Sequence, residues 1–99
     1  MTPAWPFADP PNVAVFTLGR ILEKREPILQ VFHDDDDGGW QFLDGKPISR
    51  DEAKLVSLRQ MLQQDPTLAQ LADLPLGWMA VRSGPESAWE RSRQPKESE

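Results

Sequence analysis

Cysteine is absent from the 99 residues, which removes disulfides, thiolate nucleophiles and cysteine-bound zinc or iron–sulfur centres together. Tyrosine is absent too, and the single histidine, His33, cannot form a two-histidine metal site. No apolar run approaches the roughly 20 residues of a membrane span. The start Met1-Thr2-Pro3-Ala4-Trp5-Pro6 has neither the basic residues nor the apolar stretch of a secretory signal. The expectation is therefore a cytoplasmic protein with no membrane partner. Positive charge is also short: 11 lysines and arginines face 16 aspartates and glutamates, for a formal net charge of −5. Without a basic stripe to displace counterions from phosphates, nucleic acid is not an expected partner.

What is present is one small globular domain. A chain of this length buries only about 60–70% of its unfolded surface, so it can support a single core. Ten prolines and four tryptophans stand out; proline fixes φ and withholds an amide donor, so firm turns are expected. Pro3, Pro6, Pro10 and Pro11 make residues 1–12 an extended arm that Trp5 and Phe7 could tack to the body. The domain proper spans 13–83. From 84 to 99 the chain turns polar, and disorder is expected after Trp89.

Within the domain, Val13 to Thr17 reads as a strand, and Leu18 to Lys24 fits one or two helical turns. Ile28 to Phe32 is apolar on both faces, as in a covered central strand. Trp40 to Leu43 gives a third strand, after which Asp44-Gly45 suits a two-residue hairpin turn leading to an edge strand at Lys46-Pro47-Ile48. Ser49-Arg50-Asp51-Glu52 matches a capping box, with Ile48 and Ala53 placed for a hydrophobic staple. Leu55, Leu58 and Leu62, beside Val56 and Met61, predict a helix over 50–63. Asp65-Pro66 caps a shorter one that buries Leu68 and Leu71. A last strand, Trp78 to Arg82, should turn Trp78, Ala80 and Arg82 to one face and Met79 and Val81 to the other. The fold class is α+β: a mostly antiparallel sheet of four to five strands with two or three helices covering one face.

Negative charge is concentrated in one place. Asp34, Asp35, Asp36 and Asp37 supply four of the five net negative charges, because charges elsewhere nearly cancel. Their mutual repulsion is relieved by solvent and salt, by lysine or arginine, or by a hard cation. A calcium-loop template aligns His33, Asp35, Asp37, Gly38, Trp40 and Asp44, yet histidine replaces the first aspartate and Asp44 replaces the bidentate glutamate. Catalysis by Ser49 or Ser57 with His33 has no support in the spacing. His33 reads as a strand-end residue in solvent, and Gly38-Gly39 as a tight backbone turn. Trp40 and Trp78 are core anchors or a binding platform. Trp89, set in polar sequence, either folds back on the sheet or meets a partner.

The segments Asp37-Gly38-Gly39-Trp40-Gln41-Phe42-Leu43-Asp44-Gly45, Asp65-Pro66-Thr67-Leu68 and Leu74-Pro75-Leu76-Gly77-Trp78 resemble a bacterial family known as domain of unknown function 2185, related to the immunity-protein 33 type. The resemblance runs from about Val13 to Arg82. Gly38 departs from the usual serine, and Lys46-Pro47 stands where an acidic residue is usual. The resemblance implies a small bacterial cytoplasmic α+β domain and brings no established activity or catalytic residues to transfer, and the immunity relatives imply binding of a toxin protein. The functional expectation is a noncatalytic protein-binding module, with no cofactor and no enzymatic activity. It meets a basic partner through Asp34, Asp35, Asp36, Asp37, Trp40 and Trp89. A divalent-cation domain using Asp35, Asp37 and Asp44 is the alternative.

Overall fold

The computed structural model describes residues 5–95. The elements run β1 (Ala14–Leu18), α1 (Gly19–Leu22), β2 (Gln30–His33), β3 (Trp40–Leu43), a 3₁₀ turn (Arg50–Glu52) and β4 (Ala53–Ser57). Then follow α2 (Leu58–Gln64), a 3₁₀ helix (Pro66–Leu71), β5 (Trp78–Val81) and β6 (Glu90–Arg93). The strands form one six-stranded sheet in the order β4-β1-β3-β2-β5-β6. Only β1 and β3 pair in parallel; the other pairings are antiparallel. The α+β class and the mostly antiparallel sheet hold, with six strands in place of four or five. Among the described residues no helix is long and apolar enough to cross a membrane.

Three expectations are corrected, each because long-range pairing overrides a local pattern. The helix expected over 50–63 begins only at Leu58; Ala53–Ser57 instead pairs antiparallel with the free edge of β1, Ala14 opposite Ser57 and Leu18 opposite Ala53. The capping box at Ser49 does not form, since its side chain makes no capping bond. Glu52 Oε1 accepts the Arg20 amide at 2.8 Å. Ser57 is the cap of α2, its oxygen accepting the Gln60 amide at 3.1 Å, while the Leu58 and Arg59 amides donate to the carbonyls of Val13 and Pro11. Helix-start donors without intrahelical partners are thus met by Pro11 of the proline-rich arm and by Val13, just after it. The second correction concerns Lys46-Pro47-Ile48, which is not a strand; the Pro47 carbonyl accepts from Arg20 Nη2 at 2.9 Å. The third is the tail. Glu90–Arg93 forms β6 along β5, with Trp78 opposite Arg93 and Val81 opposite Glu90, where disorder was expected.

Alternation along the strands gives the sheet two unlike faces. Val15, Thr17, Val31, Trp40, Phe42 and Ala80 point to one and are buried with Leu58 and Met61 of α2, Leu68 and Leu71 of the 3₁₀ helix, and Ile21 of α1. Thr17 is satisfied there by donating to the Phe42 carbonyl at 2.8 Å. At about 1.5–3 kcal/mol for each fully buried large apolar side chain, this face supplies most of the driving force. Asp65 caps the 3₁₀ helix through the Thr67 amide, with Pro66 in its first turn, as the sequence predicts.

Candidate functional site

The acidic run is the turn of the β2–β3 hairpin, and its backbone is closed at both ends. The Asp34 amide donates to the Gly39 carbonyl at 2.9 Å, and the Gly38 amide donates to the Asp34 carbonyl at 3.1 Å. Gly38 adopts φ +73°, a conformation that costs glycine nothing. Asp37 Oδ1 accepts the Gly39 amide at 2.8 Å, which restrains the loop's exit. Asp34 is half-buried and takes Gln41 Nε2 at 2.7 Å, so its charge braces the hairpin. Asp35, Asp36 and Asp37 are exposed. Among the described residues no lysine or arginine forms an ion pair with any of the four.

A second turn supports the loop from beside it. The Gly77 amide donates to the His33 carbonyl at 2.7 Å. At φ +81° its Cα faces Asp35 so closely that a Cβ there would lie 3.2 Å from Asp35 Oδ2. The residue before it, Leu76, is an apolar residue 56% exposed, one position along the chain from this close approach to Asp35. No sequence motif marks Leu76; its position follows from the pairing of β2 with β5.

His33 is not a solvent-facing strand end. Its Nδ1 lies 2.7 Å from the Leu74 carbonyl, which can only accept, so Nδ1 carries the hydrogen. The ring stacks on Trp40 with centroids 3.8 Å apart. Trp40 itself is only 3% exposed. Its Nε1 donates to Asp9 Oδ2 at 2.7 Å, and the Phe7 ring meets it edge-on at 5.1 Å. Trp40 is therefore a core anchor that holds the arm, and the structure removes it from the expected contact surface. Trp5 assists, its Nε1 donating to the Asp9 carbonyl.

Trp89 also turns inward. It is half-buried, packed against the core, with the Arg82 guanidinium carbon 4.2 Å from its ring centroid. Of the six residues expected at a contact, Asp35, Asp36 and Asp37 remain on the surface together.

Asp44 does not join them. Its side chain is 0% exposed and takes Arg20 Nε at 2.6 Å, Arg20 Nη2 at 3.0 Å and the Lys46 amide at 3.1 Å. The hydrogen bonds from Arg20 hold the Asp44 carboxyl below its ordinary range, against the opposing effect of burial. Arg20 is correspondingly raised by Asp44. On the helical side Arg91 likewise lowers Asp73 through a contact of 2.8 Å. The cation alternative thus loses its third ligand. Among the described residues no group of three or more histidine, aspartate or glutamate side chains is gathered to hold a metal ion. The clefts near Lys24, Gln64 and Pro85 and near Gln70 and Trp89 do not include the acidic loop. Comparison with family models, curated proteins and solved structures finds no match.

Proposed function

We propose that this chain is a noncatalytic protein-binding module that presents Asp35, Asp36 and Asp37 to a basic surface of a partner protein. The observation that carries the reading is three adjacent exposed carboxylates, unpaired among the described residues, on a turn whose backbone is braced by Asp34, Gly38 and Gly77. A pre-ordered acidic corner loses little freedom on binding and steers a basic partner by long-range attraction. Leu76, one position from Gly77 in the chain, adds apolar area to the contact. The resemblance to immunity-type domains supports a toxin protein as that partner, with the loop occupying a basic site meant for phosphate. A bacterial cytoplasmic setting accords with this reading.

The test compares the full chain with its D35N/D36N/D37N variant as bait in the native host extract, with quantitative mass spectrometry of captured proteins. A specific partner should be retained by the wild type and reduced at least about tenfold by the variant. Capture should also weaken in about 1 M salt, where the screening length falls to about 3 Å. Equal capture by both baits, or capture insensitive to salt, refutes the reading.

A further inference from the structure

The helices cover one face of the sheet, and the other carries Leu55, the most exposed large apolar side chain among the described residues. Strand register places one residue of each strand in a single row across it: Leu55, Phe16, Gln41, Phe32, Met79 and Ser92. Leu55 is 72% exposed; Phe16, Phe32 and Met79 are half-buried, with Phe16 and Phe32 packed against the core. A sheet face turned to water ordinarily carries polar side chains. This one has four large apolar residues in its central row and no ionisable one.

We propose that this face packs against the same face of a second copy of the chain, closing a two-layer sandwich. A neutral row opposes no like charge when it meets itself. Two sheets pack about 10 Å apart with strands within about 30° of each other. A two-fold axis running across the strands sets Phe16 on Phe16, Phe32 on Phe32 and Gln41 on Gln41 of the second copy. The same axis sends the two loop tips to opposite ends, so the six exposed carboxylates of Asp35, Asp36 and Asp37 do not converge.

Gln41 fits the centre of such an interface. Its amide nitrogen gives one hydrogen to Asp34, and an amide has two to give and a carbonyl oxygen to accept. Among the described residues that oxygen has no partner, so two facing Gln41 side chains can exchange hydrogen bonds and fix the register of the sandwich.

The size sets the strength. Six strands spaced about 4.8 Å give a face about 24 Å wide. With two or three residues of each strand on it, the face falls below the 20–30 residues a side of a standard interface, which points to a dimer dissociating at micromolar concentration.

The experiment is sedimentation velocity on the full chain from about 1 to 200 μM, a range chosen to bracket that affinity, at low and high salt. The mass should rise with concentration from 11.2 kDa toward twice that value, with little salt dependence. Leu55→Glu sits on an exposed position and Phe32→Glu on a half-buried one; each should weaken association at least about tenfold by burying an unpaired carboxylate. Circular dichroism confirms that each variant is folded, and Leu55→Glu carries the test should Phe32→Glu not fold. A wild type that stays at 11.2 kDa throughout overturns the proposal and leaves the face to another occupant. Folded Leu55→Glu protein that dimerises as tightly as wild type overturns it too. So does loss of the dimer in D35N/D36N/D37N, which places the contact at the loop; the proposed partner binding of that loop is read separately, by capture.

Discussion

Replacing Arg82 with methionine should be among the most damaging single changes in this protein. The Arg82 side chain is 1% exposed and donates to the Ile28 carbonyl at 2.9 Å, Thr67 Oγ1 at 3.1 Å, the Pro85 carbonyl at 3.1 Å and Asp65 Oδ2 at 2.6 Å. It also lies against the Trp89 ring. Methionine fills similar space but leaves two carbonyls and a carboxylate without this donor. Charge-assisted hydrogen bonds contribute about 1.5–3 kcal/mol each, but four such values cannot be added, because the groups form one network. Thr67 keeps its bond to Asp65, and Asp65 retains some access to water. The better figure is the loss on removing one partner of a buried pair, about 3–5 kcal/mol. For a domain of about 100 residues, each kcal/mol lowers Tm by about 4–8 °C, so Tm should fall by at least about 12 °C. Urea unfolding followed by tryptophan fluorescence measures the loss.

A second readout locates it. Arg82 ties down Pro85 and Trp89, which lead into β6, so amide exchange at Glu90–Arg93 should accelerate far more than at Trp40–Leu43. Arg82→Lys restores the charge without the planar fork and should recover less than half of the loss, since one ammonium cannot span partners on three segments. A methionine variant within about 1 kcal/mol of wild type would show that Arg82 behaves like a surface ion pair and would refute the reasoning.

The Arg20–Asp44 pair makes a pH-dependent prediction. Because Asp44 titrates below the ordinary carboxylate value of 3.8 when folded, its ionised form stabilises the fold above that pH. The contribution is lost as pH falls from there through the folded value. Asp44→Asn should therefore destabilise the protein most at neutral pH, with the gap to wild type closing below about 3.8; a gap constant from pH 7 to pH 2 in chemical denaturation contradicts this. Two serines discriminate real from apparent caps: Ser57→Ala should lose about 1 kcal/mol, and Ser49→Ala should stay within about 0.5 kcal/mol. The reverse order in thermal melts would mean that α2 begins where the sequence pattern, not the structure, places it.

Those two serines show how a local signal can mislead. Ser49 with Glu52 has the residue types of a capping box, and Leu55, Leu58 and Leu62 have helical spacing. The segment Ala53–Ser57 nevertheless completes the hydrogen bonds of β1, a strand some 40 residues earlier in the chain. Leu55 consequently moves from an expected helical core face to an exposed sheet face. By contrast, Asp65-Pro66 is read correctly because both its capping oxygen and its restricted φ act within three residues. The acidic loop is legible as a charge concentration, but not the sorting within it. Asp34 becomes a brace only because Gln41 stands across the hairpin, and Asp44 leaves the loop only because Arg20 reaches it.

From the sequence alone follow the α+β class, the alternation of β5, the cap at Asp65, the glycine turn into Trp40 and the concentration of negative charge at 34–37. Each depends on neighbours close in the chain or on composition. The six-strand order, the strand at Ala53–Ser57, the recruitment of Glu90–Arg93, the burial of Trp40 and the row from Leu55 to Ser92 were decided by the tertiary structure. A backbone amide or carbonyl on a sheet edge accepts a partner from anywhere in the chain, and which segment reaches it depends on what else the core must bury.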